Sequence, residues 1–325
     1  MVFLVNKSLD AYYNMAVEEY FLDRHNGNFF ILWQNKNAIV VGKNQNTLAE
    51  IDSDFVKEKG IDLVRRLSGG GAMYQDLGNL NFTFICDEKK WFSDYSYFTT
   101  PVIEAMKSLG VTLTLSGRND IMLGDFKVSG NAQAVRGERI LHHGTLLIDC
   151  DLSVLGQALT PDKEKIAAKG IKSVSSRVIN INDTLCEKLT VSQVVSAIKD
   201  AVVSLFPDTV VRDISEDEDA EIKALAEKYR SWDWNFGSSP KYTFHNKKRF
   251  ASGIVEVKLD VLRGVIQSAK FEGDFFGVSD VLDIEKAICG VNHNEDDIFS
   301  ALCDFNFENY FMGIGRDEIL SLIKP

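Results

Sequence analysis

The spacing of apolar residues changes along this chain, and each change marks an element. Leu9, Tyr12, Ala16 and Tyr20 recur at three- and four-residue intervals, which predicts a helix capped by Ser8 with Glu18 and Glu19 on its wet side. FFILWQN and AIVVGK read as two strands separated by a polar turn at residues 35–37, and LAEIDSDFVKEKG as a short helix stopped by Gly60. IDLVRR and LNFTFIC predict strands on either side of a glycine-rich turn, and FTTPVIEAMKSLG a helix ending at Gly110. VTLTLSGRNDIML, GDFKVSGNAQAVR and RILHHGTLLIDC follow as strands that turn at glycines. The stretches between them are too short for crossover helices, so the sheet is expected to be hairpin-linked and largely antiparallel.

Two more helices are predicted. LTVSQVVSAIKDAVVSLFP is capped by Thr190, and SEDEDAEIKALAEKYR begins with acids that suit the positive end of a helix and read as a solvated start. Aromatic, turn-forming and basic residues alternate over 231–250, and a boundary is expected there, dividing the chain into 1–246 and 247–325. The second unit shows two strands joined around DVLRG, then helices at VLDIEKAICG and NEDDIFSALCD. The expected fold class is α+β, a mixed and largely antiparallel sheet with flanking helices, plus this small α+β C-terminal domain.

A chain of 325 residues has room for such a core, and 45% hydrophobic residues with only 5 prolines argue for folded structure throughout. The balance of 47 acidic against 36 basic residues gives a net charge of -11. That disfavours nucleic acid as a partner and leaves room only for a local anion site. No apolar run is long enough to cross a bilayer and the N-terminus lacks the build of a secretion signal, so no membrane association and a cytoplasmic location are expected. Cys86, Cys150, Cys186, Cys289 and Cys303 are odd in number and scattered, which suggests neither a disulfide framework nor a CxxC metal site.

Against this acidity, RRLSGGGAMYQD at 65–76 sets two arginines beside three glycines. Gly69, Gly70 and Gly71 let a ligand lie against the backbone and collect N–H donors, while Arg65 and Arg66 suit phosphate or carboxylate oxygens. Strand alternation sends only one arginine into such a site, and the sequence alone does not choose which. A glycine turn beside two surface arginines is the other reading, and the spacing matches neither GxGxxG nor GxxxxGKS.

In GRNDIMLGDFKVSGNAQ, Asn119 and Asp120 supply an amide and a carboxylate, either for nucleotide and Mg²⁺ or for a turn between strands. Lys127 is expected on the strand face opposite Phe126 and Val128, where it stabilises developing negative charge or simply faces water. His142 and His143 must point to opposite sides of their strand, which excludes a shared metal. The segment DKEKIAAKGIKSVSSRVINI, with Lys165, Lys169, Lys172 and Arg177, closes over an anion or serves as a solvated connection. Trp33 lines a narrow apolar slot or belongs to the core.

Taken together and in order, RRLSGGGAMYQDLGNLNFTFI, DFKVSGNAQ, HHGTLLIDCDLSVL and KGIKSVSSRV resemble the lipoate-protein ligase family, in its long form with a C-terminal accessory domain. The resemblance runs over nearly the whole chain. It implies a catalytic domain of the biotin-ligase and class II aminoacyl-tRNA-synthetase type, which activates lipoate with ATP and Mg²⁺ to lipoyl-AMP and then acylates a lysine. The partners it implies are apo lipoyl domains of 2-oxoacid dehydrogenase E2 subunits and the glycine-cleavage H protein, with the ligase itself a monomer.

Residue by residue, the resemblance implies that Arg66, Ser68, Gly69, Gly70 and Gly71 touch the adenylate and acyl carbonyl. It gives Lys127 the catalytic contact to the activated carboxyl and phosphate. Trp33 and His143 border the lipoyl pocket, and Gln75, Gly130 and Gly144 are further expected cofactor-binding positions. Asn119 and Asp120 serve nucleotide and metal, while Lys169 and Arg177 belong to the segment that covers the intermediate. Gln75 departs from the pattern, because many relatives carry histidine there; glutamine exchanges hydrogen bonds but does not titrate. ATP-independent acyl transfer through a cysteine thiolate is the rival reading, with Cys150 as its candidate nucleophile.

Overall fold

The protein is described by a computed structural model that covers all residues except 46, 117–118, 160–177, 236–243, 263–264, 294 and 325. The strands of the larger part are β1 Val2–Val5, β2 Phe29–Trp33, β3 Asn37–Val41, β4 Asp62–Arg65, β5 Met73–Asp76, β6 Asn79–Cys86, β7 Thr114–Ser116, β8 Asp120–Leu123, β9 Phe126–Arg136, β10 Arg139–Leu147 and β11 Val210–Val211. Eight of them form one sheet in the order β11-β1-β2-β6-β10-β9-β8-β7, and β4-β3-β5 form a second. The run from β6 through β10, β9 and β8 to β7 is antiparallel, as expected from its short turns. The β1 pairs with β2 and β11, and the β3–β4 pair, are parallel. Each is bridged by a helix-bearing connection, as parallel pairing requires. The expected α+β class, mixed and largely antiparallel, is what the chain adopts.

Helices cover both faces of the large sheet. α2 Tyr95–Ser108 and α3 Val191–Leu205 pack on one face over Phe30, Phe82, Phe84 and Ile140. On the other face α1 Ala11–Arg24 and α4 Glu216–Arg230 pack with Ile31, Trp33, Ile85 and Leu141. α1 therefore lies between the sheet and α4, buried on nearly every side, and this corrects two expectations. Asp10, not Ser8, is the N-cap, accepting from the N–H groups of Tyr12 and Tyr13. Glu18 and Glu19 are 1% and 6% exposed rather than wet. Glu19 is held by Lys228, Tyr229 and Arg136; burial alone would raise its carboxyl, but those partners outweigh it and leave it below its ordinary value. The acidic start of α4 is only partly solvated, because Glu218 closes a capping box with Ser215 and accepts both Arg212 nitrogens at 2.7 Å.

The C-terminal part is a meander of β12 Phe244–Phe250, β13 Gly253–Leu262 and β14 Val265–Gly273, with α5 Leu282–Ile288, α6 Glu295–Leu302 and α7 Arg316–Ile323 closing a separate core around Phe271, Phe275 and Phe311. The division expected after Asn246 falls within β12. This part sits directly against the glycine turn: a Cβ on Gly69 would meet the Phe275 carbonyl oxygen at 2.4 Å, and Lys43 pairs with Asp280 at 3.2 Å.

Candidate active site

β4 ends at Arg65, and alternation sends the two arginines apart. Arg65 turns away from the site and fastens surrounding backbone: it donates to the carbonyls of Gly42, Lys43 and Gln45, to Thr47 Oγ1 and to Asn235 O, at 2.6 to 3.1 Å. Arg66, 5% exposed, runs beneath the glycine turn. Its Nη2 donates to the carbonyls of Gly69 at 2.6 Å and Gly71 at 2.9 Å, its Nη1 to Val40 O, and its Nε to Ser68 Oγ at 3.1 Å. The N–H groups of Gly69, Gly70 and Gly71 find no acceptor among the described residues. Gly70 has φ +94, which only glycine adopts without strain. Burial pushes Arg66 down to about 10, opposed by the Glu18 carboxylate, so it stays charged at neutral pH.

A line of buried polar side chains continues from this turn. Ser68 Oγ lies 2.6 Å from His143 Nε2, and His143 Nδ1 lies 2.9 Å from Glu18 Oε1. Thr83 donates to the same Glu18 oxygen at 2.5 Å and accepts from Trp33 Nε1 at 2.9 Å. A carboxylate only accepts, so the His143 Nδ1 that faces Glu18 carries a proton, and Nε2 faces the Ser68 hydroxyl. The five residues Trp33, Thr83, Glu18, His143 and Ser68 thus form one hydrogen-bonded series on the α1 side of the large sheet. His142 points the other way, as expected, stacked on Phe98 at 4.8 Å. It accepts from Gln133 and donates to Asn131 Oδ1, and burial holds it well below its ordinary value.

Lys127 reaches the α1 side through a bulge. Ile121 pairs with Ser129 but the next residue, Met122, pairs with Lys127, so Val128 is an extra residue in β9. One extra residue reverses the side on which preceding side chains emerge. Lys127 therefore shares a face with Gly130, and its Nζ lies 3.1 Å from where a Cβ on Gly130 would stand. This corrects the expected arrangement of its apolar neighbours: Val128 is buried, whereas Phe126 is 44% exposed. Lys127 Nζ pairs with Asp120 Oδ1 at 2.7 Å. Asn119 and Asn131 exchange side-chain to backbone hydrogen bonds at 2.6 and 3.1 Å, which fixes the strand edge beside that pair. Gly144 leaves room for this arrangement, since a Cβ there would lie 2.1 Å from Asn131 Oδ1.

The family described as "Lipoyl protein ligase A/B catalytic domain" matches residues 10–203, and "Bacterial lipoate protein ligase C-terminus" matches 239–323. The chain belongs to the lipoyl protein ligase A/B family. Lipoate–protein ligase 1 of Staphylococcus aureus is 42% identical over 331 residues, covering 100% of both chains. Among solved structures, P. falciparum LipL1 in complex with lipoate matches with a TM-score of 0.83 at 27% identity, covering 98% of each chain. A lipoate-protein ligase A bound with ATP matches at 0.63 and 25% identity, over 72% of this chain and 98% of that one.

For a member of this family, the structure brings Trp33, Arg66, Ser68 and His143 into one bonded group, and Asn119, Asp120, Lys127 and Gly130 into a second on the same sheet. Lys169 and Arg177 lie outside the described residues; Val178, just after them, bridges to Lys127. Cys150 is buried beside Asp76, and burial together with that carboxylate pushes its thiol far up, which removes the thiolate an acyl-exchange nucleophile needs. Sequence reasoning missed Glu18, Thr83 and Asn131. Asn14 and Glu18, four residues apart on one face of a helix rich in apolar residues, were the available signal, because polar groups on a buried face must be partnered.

Proposed function

We propose that the protein activates lipoate with ATP to lipoyl-AMP, releasing pyrophosphate, and then transfers the lipoyl group to a lysine of an apo lipoyl domain of a 2-oxoacid dehydrogenase E2 subunit or of the glycine-cleavage H protein. The observation that carries this reading is the bulge that sets Lys127 on the same side as the glycine turn and His143. It sets a lysine beside a buried arginine and N–H donors that have no acceptor among the described residues. Lipoate and the α-phosphate repel each other, and Lys127 with the N–H groups at 69–71 lowers that repulsion as the carboxylate attacks. The same donors then stabilise the oxyanion that forms when the carrier amine adds to the acyl carbon. Glu18 and His143 hold Ser68, and Arg66 holds the turn, so the donors are ordered before substrate arrives.

Asp120 is the one carboxylate in the second group, and no three metal-binding side chains cluster among the described residues. That fits Mg²⁺ taken up with nucleotide phosphates, since magnesium commonly uses one or two protein carboxylates and keeps phosphate and water ligands. Bound there, Mg²⁺ would offset phosphate charge. No helix among the described residues is long and apolar enough to cross a membrane. The test is an assay with ATP, Mg²⁺, lipoate and a panel of apo-carriers, reading AMP release and carrier mass together. Equal release of AMP and gain of lipoyl mass is expected; acylation that proceeds without ATP rejects the reading.

A further inference from the structure

We propose that Gln75 is a fixed hydrogen-bond donor to an anionic oxygen of the substrates, its amide oriented by a series of buried amides that begins in α1. This deepens the ligase reading and rests on it. Gln75 is 2% exposed, and its Oε1 accepts from Asn35 Nδ2 at 2.8 Å and from Asn81 Nδ2 at 3.2 Å. The orientation of Asn35 and Gln75 follows from groups that have no choice. Asn14 Nδ2 contacts the backbone carbonyls of Ser8 at 3.2 Å and Gln34 at 2.8 Å, and carbonyls only accept, so nitrogen must face them. The same nitrogen donates to Asn35 Oδ1 at 2.8 Å, which leaves the Asn35 nitrogen to face Gln75. With the Gln75 oxygen set by Asn35, the Asn81 nitrogen faces it too, and Asn81 Oδ1 accepts from Asn79 at 2.9 Å. Two donors now meet one end of the Gln75 amide. That end is oxygen, and the NH₂ is turned away from both.

The NH₂ makes no hydrogen bond among the described residues and is not sealed from solvent. Its strand shows where it lies. Met73, two residues earlier on β5, shares the Gln75 face, and Met73 Cε is 3.7 Å from the point that a Cβ on Gly130 would occupy, beside Lys127 Nζ. Asn81 and Thr83 share a face of β6, so the contact from Asn81 ties Gln75 to the sheet side that carries Thr83 and Trp33. A donor that can neither titrate nor reverse is suited to a carboxylate or phosphoryl oxygen, and rejects a ligand that presents a donor of its own.

The experiment is Gln75→Glu. The substitution is isosteric and keeps an acceptor for Asn35 and Asn81, whose two donors favour the ionised form, but it replaces the free NH₂ by oxygen. Calorimetry is run in two arms, lipoate without nucleotide and a non-hydrolysable ATP analogue without lipoate. About 10- to 100-fold weaker binding is expected in one arm, and that arm identifies the oxygen as carboxylate or phosphate. Unchanged Kd in both arms with wild-type AMP release overturns the proposal. Wild-type protein that releases no AMP with lipoate sinks the ligase reading instead. Where Q75E fails to fold, nitrogen-labelled glutamine in the wild-type chain decides: the Gln75 side-chain NH₂ resonance must shift when one substrate is added, and indifference to both refutes the assignment.

Discussion

Replacing Lys127 by alanine separates catalysis from stability by magnitude. The Lys127–Asp120 pair is 30% and 26% exposed, and a pair this open contributes about 1 kcal/mol or less to folding. The truncated side chain vacates space beside Gly130 and creates no clash. An ordered donor aimed at developing charge, by contrast, contributes about 3 to 4 kcal/mol to the transition state, or about 100- to 1,000-fold in rate. Lys127→Ala should therefore lower both half-reactions by about that factor while shifting Tm by only about 2 to 4 °C. Rapid-quench measurement of adenylate formation, then of transfer from preformed lipoyl-AMP, reads the two steps separately, and thermal unfolding reads the third quantity. Wild-type rates in both steps would show that the bulge aims Lys127 at nothing catalytic. A large fall in Tm would show that Lys127 holds the fold.

Other outcomes follow from single contacts. Gly144→Ala places a methyl 2.1 Å from Asn131 Oδ1 and 2.4 Å from a Phe82 ring carbon, and should destabilise by about 1 to 3 kcal/mol in urea denaturation; an unchanged midpoint would contradict the packing. His142 is neutral in the folded protein because burial depresses it well below 6.5, so its contribution is present above that pH and lost as pH falls through it. Stability should therefore fall as the medium is acidified below about pH 6.5, and the pH dependence of His142→Gln should be flatter there; an equally steep fall in the variant would contradict it. Cys150→Ala should leave AMP-forming activity intact, since the thiol stays protonated; loss of acyl transfer in that variant would revive a cysteine route.

How much of this was legible in the sequence depended on the range of the interactions involved. Period changes located the helices and most strands, because local alternation and turn glycines are short-range signals. β5 was missed: four residues, MYQD, alternate too briefly to register, and the strand exists only because β3 pairs with it. Glu18 and Glu19 were misplaced because periodicity says which side of a helix is apolar but not what covers the polar side. α4, about two hundred residues later in the chain, covers Glu19 through Lys228 and Tyr229, and Glu18 faces Thr83 and His143 of the sheet. The motif residues of the site were readable as islands, whereas what joins them was not. The contacts Ser68–His143 and Thr83–Glu18 span 75 and 65 residues, and no local pattern encodes them. The bulge at Val128 left only one trace, an apolar residue on each side of Lys127, which regular alternation interprets the other way.

The polarity of the site explains how an acidic chain holds two anionic substrates. Acceptors near the site are turned to hold donors: Glu18 faces His143 and Thr83, Asp120 faces Lys127, and the carbonyls of Gly69 and Gly71 face Arg66. On the proposed reading, the donors left for substrate are N–H groups of the glycine turn, the ammonium of Lys127 once Asp120 releases it, and the NH₂ of Gln75. Net charge acts over a Debye length of about 10 Å and is screened beyond it, whereas ordered donors act at contact, where screening fails. A surface charge of -11 therefore keeps other polyanions at a distance without weakening the site. On the proposed reading, the pairing of Lys127 with Asp120 adds a threshold, because a ligand that reaches Lys127 must compete with a carboxylate already 2.7 Å away. Lipoate alone brings one charge to that contest and the nucleotide brings several, so the lysine is released most readily when both are present.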